Sequence, residues 1–332
     1  MAQIVLGIGT SHSPMLTLDG DDWHNRAAAD RANKRLSLAD GQVVDYARLV
    51  ELRGEPHGDE ATPENFRAIA ARCQAHLDRI AEAIASSRPD VIVIVGDDQN
   101  ELYTPGNTPA IAIYFGDEVK THSFDDEIPE WMKKVAEGYG MDETHVFPGH
   151  AAFARTLIDG LIDREVDLGV ANAVPDPDKA GFGHAFGFPA ERLFGGAAIP
   201  MVPVMLNTYY PPNVLSPARC HDIGRKLRAA IEAAPQDLRV AVLASGGLSH
   251  FVVEEAIDRQ LLDGLADPEG VALRTLPREA LLEGSSEILN WVLTAGAVSH
   301  LPLAWSAYEP IRRTPAGTGI GCGFAIWQEE AA

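Results

Sequence analysis

Five consecutive β-branched residues at positions 91–95, VIVIV, followed at once by Gly96, Asp97 and Asp98, constrain this chain more than any other feature. Side chains in a strand alternate between its two faces, so an unbroken aliphatic run must be covered on both sides, as inside a largely parallel sheet. Short Val- and Ile-rich runs recur at 3–9, 110–115, 166–171, 201–206, 238–244 and 322–327. Helical patterning fills the intervals. The clearest instance spans 63–87, where Phe66, Ile69, Cys73, Leu77, Ile80 and Ile84 recur three or four residues apart behind a Thr62-Pro63 start. Ser216-Pro217 opens another helix, and a third begins near Gly284-Ser285-Ser286 and runs through Glu287 to Ala295. Strands alternating with helices predict an α/β fold whose central sheet, mostly parallel or mixed, is flanked by helices.

No repeat, low-complexity tract or Gly/Ser linker interrupts these runs, so residues 1–332 are expected to form one domain. Residues 19–60 are polar and charged, with helical periodicity only at 46–52; they read as an irregular excursion that covers a cleft. A formal charge of −21 repels phosphate backbones and anionic lipid, which argues against nucleic-acid and membrane partners and leaves a small molecule as the expected ligand. There is no stretch of eighteen apolar residues and no signal-peptide pattern, so the expected location is the cytoplasm. Cys73, Cys220 and Cys322 lie far apart without CxxC spacing and read as reduced core residues.

Open sheets of this kind bind ligands beyond the carboxyl ends of their strands. Residue 9 is followed by TSHSP with His12, residue 95 by GDDQNE with Asp97, Asp98 and Gln99, and residue 244 by SGGLSHF with Ser245 and His250. Two histidines and two carboxylates therefore gather on one predicted edge. Singly, each has an ordinary explanation, a hydrogen-bonded structural histidine or a turn-capping aspartate. Together they suit a divalent metal, Fe(II) first, with a further histidine free to act as acid or base. Competing motifs fail: GTGIGCG at 317–323 is not GxGxxG between a strand and a helix, and there is no phosphate loop, GxSxG elbow or HExxH helix.

The segments GIGTSHSPM, VIVIVGDDQNELY, GHAFGFP, LNTYYPPN, LASGGLSHF and GSSEILNW occur in that order, and over roughly residues 3–327 the chain resembles the class III extradiol ring-cleavage dioxygenases, the superfamily of the catalytic β subunit of protocatechuate 4,5-dioxygenase. That resemblance implies His12 and Glu287 as iron ligands, His250 as the histidine that moves protons, and His184 as a second active-site histidine bonding the substrate. One position departs. Gln99 stands where the family has its second histidine ligand. Three substitutes compete: Gln99 through its amide oxygen, a carboxylate of Asp97 or Asp98, or His57 folding in from the covering segment. His57 is the expectation adopted, because it restores imidazole ligation. Tyr209, in TYYPPN, is expected to stack on or bond an aromatic substrate, and Arg312 with Arg313 to clamp a substrate carboxylate.

The function so implied is Fe(II)-dependent extradiol cleavage by O2 of a catechol- or gallate-type ring, a carboxylated or methoxylated lignin-type phenol, in a homodimer or larger oligomer. The small subunit that covers the protocatechuate enzyme has no counterpart here, and residues 19–60 are the candidate replacement. Two rival readings remain: a zinc-dependent hydrolase on the same fold, and a non-catalytic binding member of the superfamily.

Overall fold

The computed structural model describes residues 1–124, 127–174, 176 and 179–329. Nine strands make one mixed sheet: β1 (Gln3–Thr10), β2 (Val91–Asp97), β3 (Ile111–Tyr114), β4 (Gly169–Ala171), β5 (Met201–Leu206), β6 (Arg239–Ser245), β7 (His250–Val252), β8 (Leu303–Arg312) and β9 (Thr318–Trp327). They run in the order β7-β9-β1-β6-β2-β5-β3-β4, with β8 paired to β9. The centre is parallel, β1 with β6, β6 with β2 and β2 with β5, while β9 runs antiparallel to β1, β7 and β8. Each run read from the sequence became a strand with trimmed or extended ends. The GTGIGCG segment is the turn into β9 and its first half, and β7 and β8 are additions.

The ten helices among the described residues are α1 (Trp23–Ala32), α2 (Tyr46–Arg53), α3 (Pro63–Ser87), α4 (Glu130–Gly138), α5 (Ala151–Ile162), α6 (His184–Leu193), α7 (Pro217–Ala233), α8 (Glu255–Gly264), α9 (Val271–Arg274) and α10 (Ile288–Val298). The alternation in β2 sorts the core into two layers. Val91, Val93 and Val95 join a cluster with Phe153, Leu227 and Trp291 from α5, α7 and α10, whereas Ile92 and Ile94 join Phe66, Leu77 and Phe186 from α3 and α6. Both faces of the sheet are thus covered, as the VIVIV run requires. Local chemistry sets the helix starts. Thr62 accepts from the Asn65 amide and Ser216 from the Arg219 amide, each just before a proline whose missing N–H costs nothing in the first turn. Against β1, Gly9 leaves room for Trp291: a Cβ there would lie 2.1 Å from the indole. Trp291 Nε1 in turn donates to Gly246 O at 2.7 Å, fixing α10 over the loop after β6.

Residues 19–60 are more ordered than their sequence suggests. They form a 3-10 turn at Gly20–Asp22, α1, a ribbon of Leu36–Ser37 with Val43–Val44, and α2. Leu36, Leu38, Val44 and Leu49 bury against Val252 and Ala316, so this segment lies on the strand that begins at His250. Arg35–Glu283 and Arg53–Glu254 ion pairs tie it to the body. Cys73, Cys220 and Cys322 are buried and free, and burial pushes the thiols of Cys73 and Cys220 up to about 12. No helix of the described residues is long and apolar enough to cross a membrane.

Candidate active site

β1 ends at Thr10, and the next residues answer to three different demands. Ser13 caps the 3-10 turn Pro14–Leu16 by accepting from the Met15 amide at 3.2 Å, and Pro14 stops the strand. His12 is left at the strand's end with 2% exposure, its backbone carbonyl receiving the Tyr139 hydroxyl at 2.7 Å. Its Nδ1 faces Ser245 Oγ, at the end of β6, at 3.0 Å. Its Nε2 lies 3.0 Å from Glu287 Oε2 yet makes no hydrogen bond.

Two buried carboxylates complete this corner. Asp97 is the last residue of β2, and Glu287 closes the 3-10 turn Glu283–Glu287 that runs into α10. One ligand atom from each of His12, Asp97 and Glu287 can be chosen so that all lie within 4.8 Å of one another, and among the described residues no other trio of His, Cys, Asp or Glu does so. An imidazole nitrogen without a proton partner beside two buried carboxylates is what a divalent cation would satisfy, so the residues fit a metal. Burial and the charge of Glu287 raise the Asp97 carboxyl. Burial works the same way on Glu287, but His250, His12 and His184 overcome it and hold that carboxyl far below the usual range.

The carboxylates are also held by donors. Asp97 Oδ1 accepts from Asn290 Nδ2 at 3.2 Å; Glu287 accepts from Gly247 N at 2.6 Å and from the Tyr209 hydroxyl at 2.9 Å. Gln99 presents its amide nitrogen to Asp97 Oδ2 at 3.0 Å and to Glu287 Oε1 at 3.5 Å, bridging the two as a donor. Two histidines border the trio. His250 directs Nδ1 at Leu248 O, 2.9 Å away, and its Nε2 is 3.9 Å from Glu287 Oε2; burial lowers its pKa. Gly247 makes space for that ring, since a Cβ there would be 2.3 Å from His250 Cε1. His184 lies with its ring 4.5 Å from His12, stacks on Tyr139 at 5.0 Å and pairs with Glu101 at 3.2 Å. Burial alone would depress His184, but Glu101, Asp97 and Glu287 raise it to about 9.

Five residues singled out from the sequence, His12, His184, Tyr209, His250 and Glu287, therefore converge, with Gln99 and Asp97 among them. Four do not, His57, Arg312, Arg313 and Asp98, and the expectations for them need correction. His57 Nδ1 pairs with Glu60 at 2.8 Å and its amide bonds Pro315 O, so Asp97 and not His57 stands with His12 and Glu287. Arg312 is held by Glu60 and Glu255, and Arg313 by Asp30 at 2.8 and 3.1 Å, so carboxylates of the protein already occupy both guanidinium groups. Asp98 turns away to cap its own loop, accepting from the amides of Leu102 and Tyr103, and burial pushes it up to about 7. Glu101, Tyr139 and Asn290 were not foreseen. Asn290 carried a signal, being one helical turn beyond Glu287; Tyr139 carried none.

Tyr209 is shared with an adjoining pocket of about 280 Å³ walled by Pro211, Val214, Leu215, Leu282 and Leu289. A larger cleft of about 940 Å³ lies elsewhere, between the residues after His12 and α3, α4 and α6. Its basic residues are paired with carboxylates of the cleft or its neighbours, Arg67 with Asp21, Lys134 with Asp22 and Arg192 with Asp78.

Residues 59–308 match the model of the catalytic LigB subunit of aromatic ring-opening dioxygenase. The chain belongs to this family. Asp97, Gln99, His184, Tyr209, His250 and Glu287 fall within the matched stretch of the LigB family, while His12, Arg312 and Arg313 fall outside it. A gallate dioxygenase from Pseudomonas putida is 32% identical over 164 residues, a stretch covering 46% of this chain and 46% of that protein. The chain thus matches less than half the length of that curated relative.

Proposed function

We propose that the chain is an Fe(II)-dependent extradiol dioxygenase that opens a gallate- or catechol-type ring with O2. The observation that carries this reading is the buried trio of His12, Asp97 and Glu287, bordered by two histidines of opposite character. Iron bound there would bring diol and O2 together on one centre, turning a bimolecular encounter into a local reaction. The protein's own groups divide the rest. His250, with Nδ1–H engaged by Leu248 O, leaves Nε2 unprotonated and able to take a proton from a ring hydroxyl and return it as the ring opens. His184, kept protonated by Glu101, donates to a substrate oxygen. Tyr209 and Gly247 fix Glu287 so that it need not reorganise.

One imidazole with two carboxylates is a harder donor set than the two histidines and one carboxylate usual for Fe(II) oxygenases, and this favours keeping metal-dependent hydrolysis as the second reading. Protein purified without oxygen is assayed for metal and then for oxygen uptake with protocatechuate, gallate and 3-O-methylgallate. About one iron per chain and rapid uptake with one of these supports the dioxygenase; bound zinc with no uptake on any refutes it. His250→Asn should lower turnover by about 100-fold or more while metal content stays unchanged; loss of metal would refute the role given to His250. Light scattering of the same sample tests the expected homo-oligomer.

A further inference from the structure

The expected carboxylate clamp failed at Arg312 and Arg313 because both already hold carboxylates of the protein, whereas an arginine of α1 is not so engaged. Arg26 shares the inward face of α1 with Trp23, Ala27 and Asp30, the buried residues of that helix. Both ends of α1 are fixed. Trp23 Nε1 donates to Met15 O at 3.2 Å, in the turn directly after His12, and Asp30 is held by Arg313 and by Thr318 Oγ1 at 2.9 Å. Between these anchors Arg26 is half-buried, and among the described residues it has no hydrogen bond or ion pair. Asp30, one turn further on, is already taken by Arg313 and Thr318.

The charge of Arg26 is felt by Asp30 first, and then by the phenols of Tyr139 and Tyr209, whose hydroxyls donate to His12 O and Glu287 Oε1. Burial first, and Arg313 second, hold its pKa below the ordinary arginine value, and Asp30, which forms no direct pair with it, offsets this only in part. In a chain with 48 acidic and 27 basic residues, an inward arginine without a direct ion pair is conspicuous. At the nearby centre the carboxylates of Asp97, Glu101 and Glu287 are balanced by protonated His184 and by the divalent metal proposed there, so a carboxylate on the substrate calls for a further cation of its own. A guanidinium fork matches a carboxylate in two parallel hydrogen bonds.

We propose that Arg26 receives the carboxylate of the aromatic substrate, so that this chain selects ring acids over neutral diols. The inference rests on the ring-cleavage reading of the site, and gallate and pyrogallol, which differ only by the carboxylate, test it. Both are titrated calorimetrically into anaerobic wild-type protein, Arg26→Met and Arg26→Lys, and oxygen uptake is recorded separately. The wild type should bind gallate more tightly, Arg26→Met should lower the gallate-over-pyrogallol binding ratio by about 10- to 100-fold, and Arg26→Lys should retain part of it. An unchanged ratio in Arg26→Met, or a wild type that binds the two alike or binds neither, overturns the proposal. No oxygen uptake from either ring in the wild type would refute the ring-cleavage reading alone, because the binding ratio still reports on Arg26. If Arg26→Met does not fold, Arg26→Gln carries the same comparison.

Discussion

Asp97→Asn separates the stability of the empty site from its affinity for metal, and the two should move in opposite directions. Asp97 and Glu287 are 1% and 2% exposed, and their proximity together with burial raises the Asp97 carboxyl. An acid raised on folding is ionised at neutral pH only at a cost, so removing its charge should stabilise the metal-free protein by about 1–3 kcal/mol. The same change removes a proposed ligand. If metal at 100 times its dissociation constant adds about 2.7 kcal/mol to the wild type, a hundredfold loss of affinity leaves about 0.4 kcal/mol at the same metal concentration. Urea unfolding without oxygen, with and without Fe(II), measures both quantities; His57→Ala serves as the comparison and should keep the whole metal-dependent gain. The reasoning is refuted if Asp97→Asn keeps that gain or His57→Ala loses it.

Two further expectations concern the scaffold. Asp30→Asn leaves Arg313, 4% exposed, without its charge partner, and should cost about 3–5 kcal/mol in urea unfolding, with Asp30→Leu/Arg313→Met recovering much of the loss; a cost under about 1 kcal/mol would show that the pair is not needed. Asp258 accepts from Ser249 N, Ser249 Oγ and Tyr308 Oη beside His250, and burial raises its carboxyl from 3.8 to about 6. A raised acid keeps its proton in the fold, so stability relative to Asp258→Asn should fall by about 3 kcal/mol as pH climbs through this window and then stay level; parallel pH curves for the two proteins would contradict this.

Much of the architecture was legible because buried parallel strands announce themselves in unbroken aliphatic runs, and α3 in the spacing of Phe66, Ile69, Cys73, Leu77, Ile80 and Ile84, every one of them buried. β8 was hidden: its sequence LAWSAYEPIR alternates, holds a proline and is only partly buried, so no apolar run marks it. α1 was missed because its inward face holds Trp23, Arg26, Ala27 and Asp30, two of them charged, and the partner of Asp30 lies 283 residues away. At the site, strand ends pointed by position alone to His12, to Asp97 together with Asp98 and Gln99, and to His250, while Glu287 and His184 needed the family resemblance. The choice between Asp97 and His57 turned on which loop folds inward, and an isolated His57-to-Glu60 pairing leaves no trace in sequence beyond a spacing of three.

The place of β1 in the sheet has a consequence for how the protein is made. Both its neighbours come from the last third of the chain, Gln3 pairing with Arg239 and Gly7 with Trp327. At ordinary rates of synthesis, the first strand leaves the ribosome roughly 10–50 s before β6 exists to receive it. Throughout that interval an apolar segment with two open edges is exposed to other nascent chains. Yield in a heterologous host should therefore depend on chaperone supply during translation, even where the finished protein is stable.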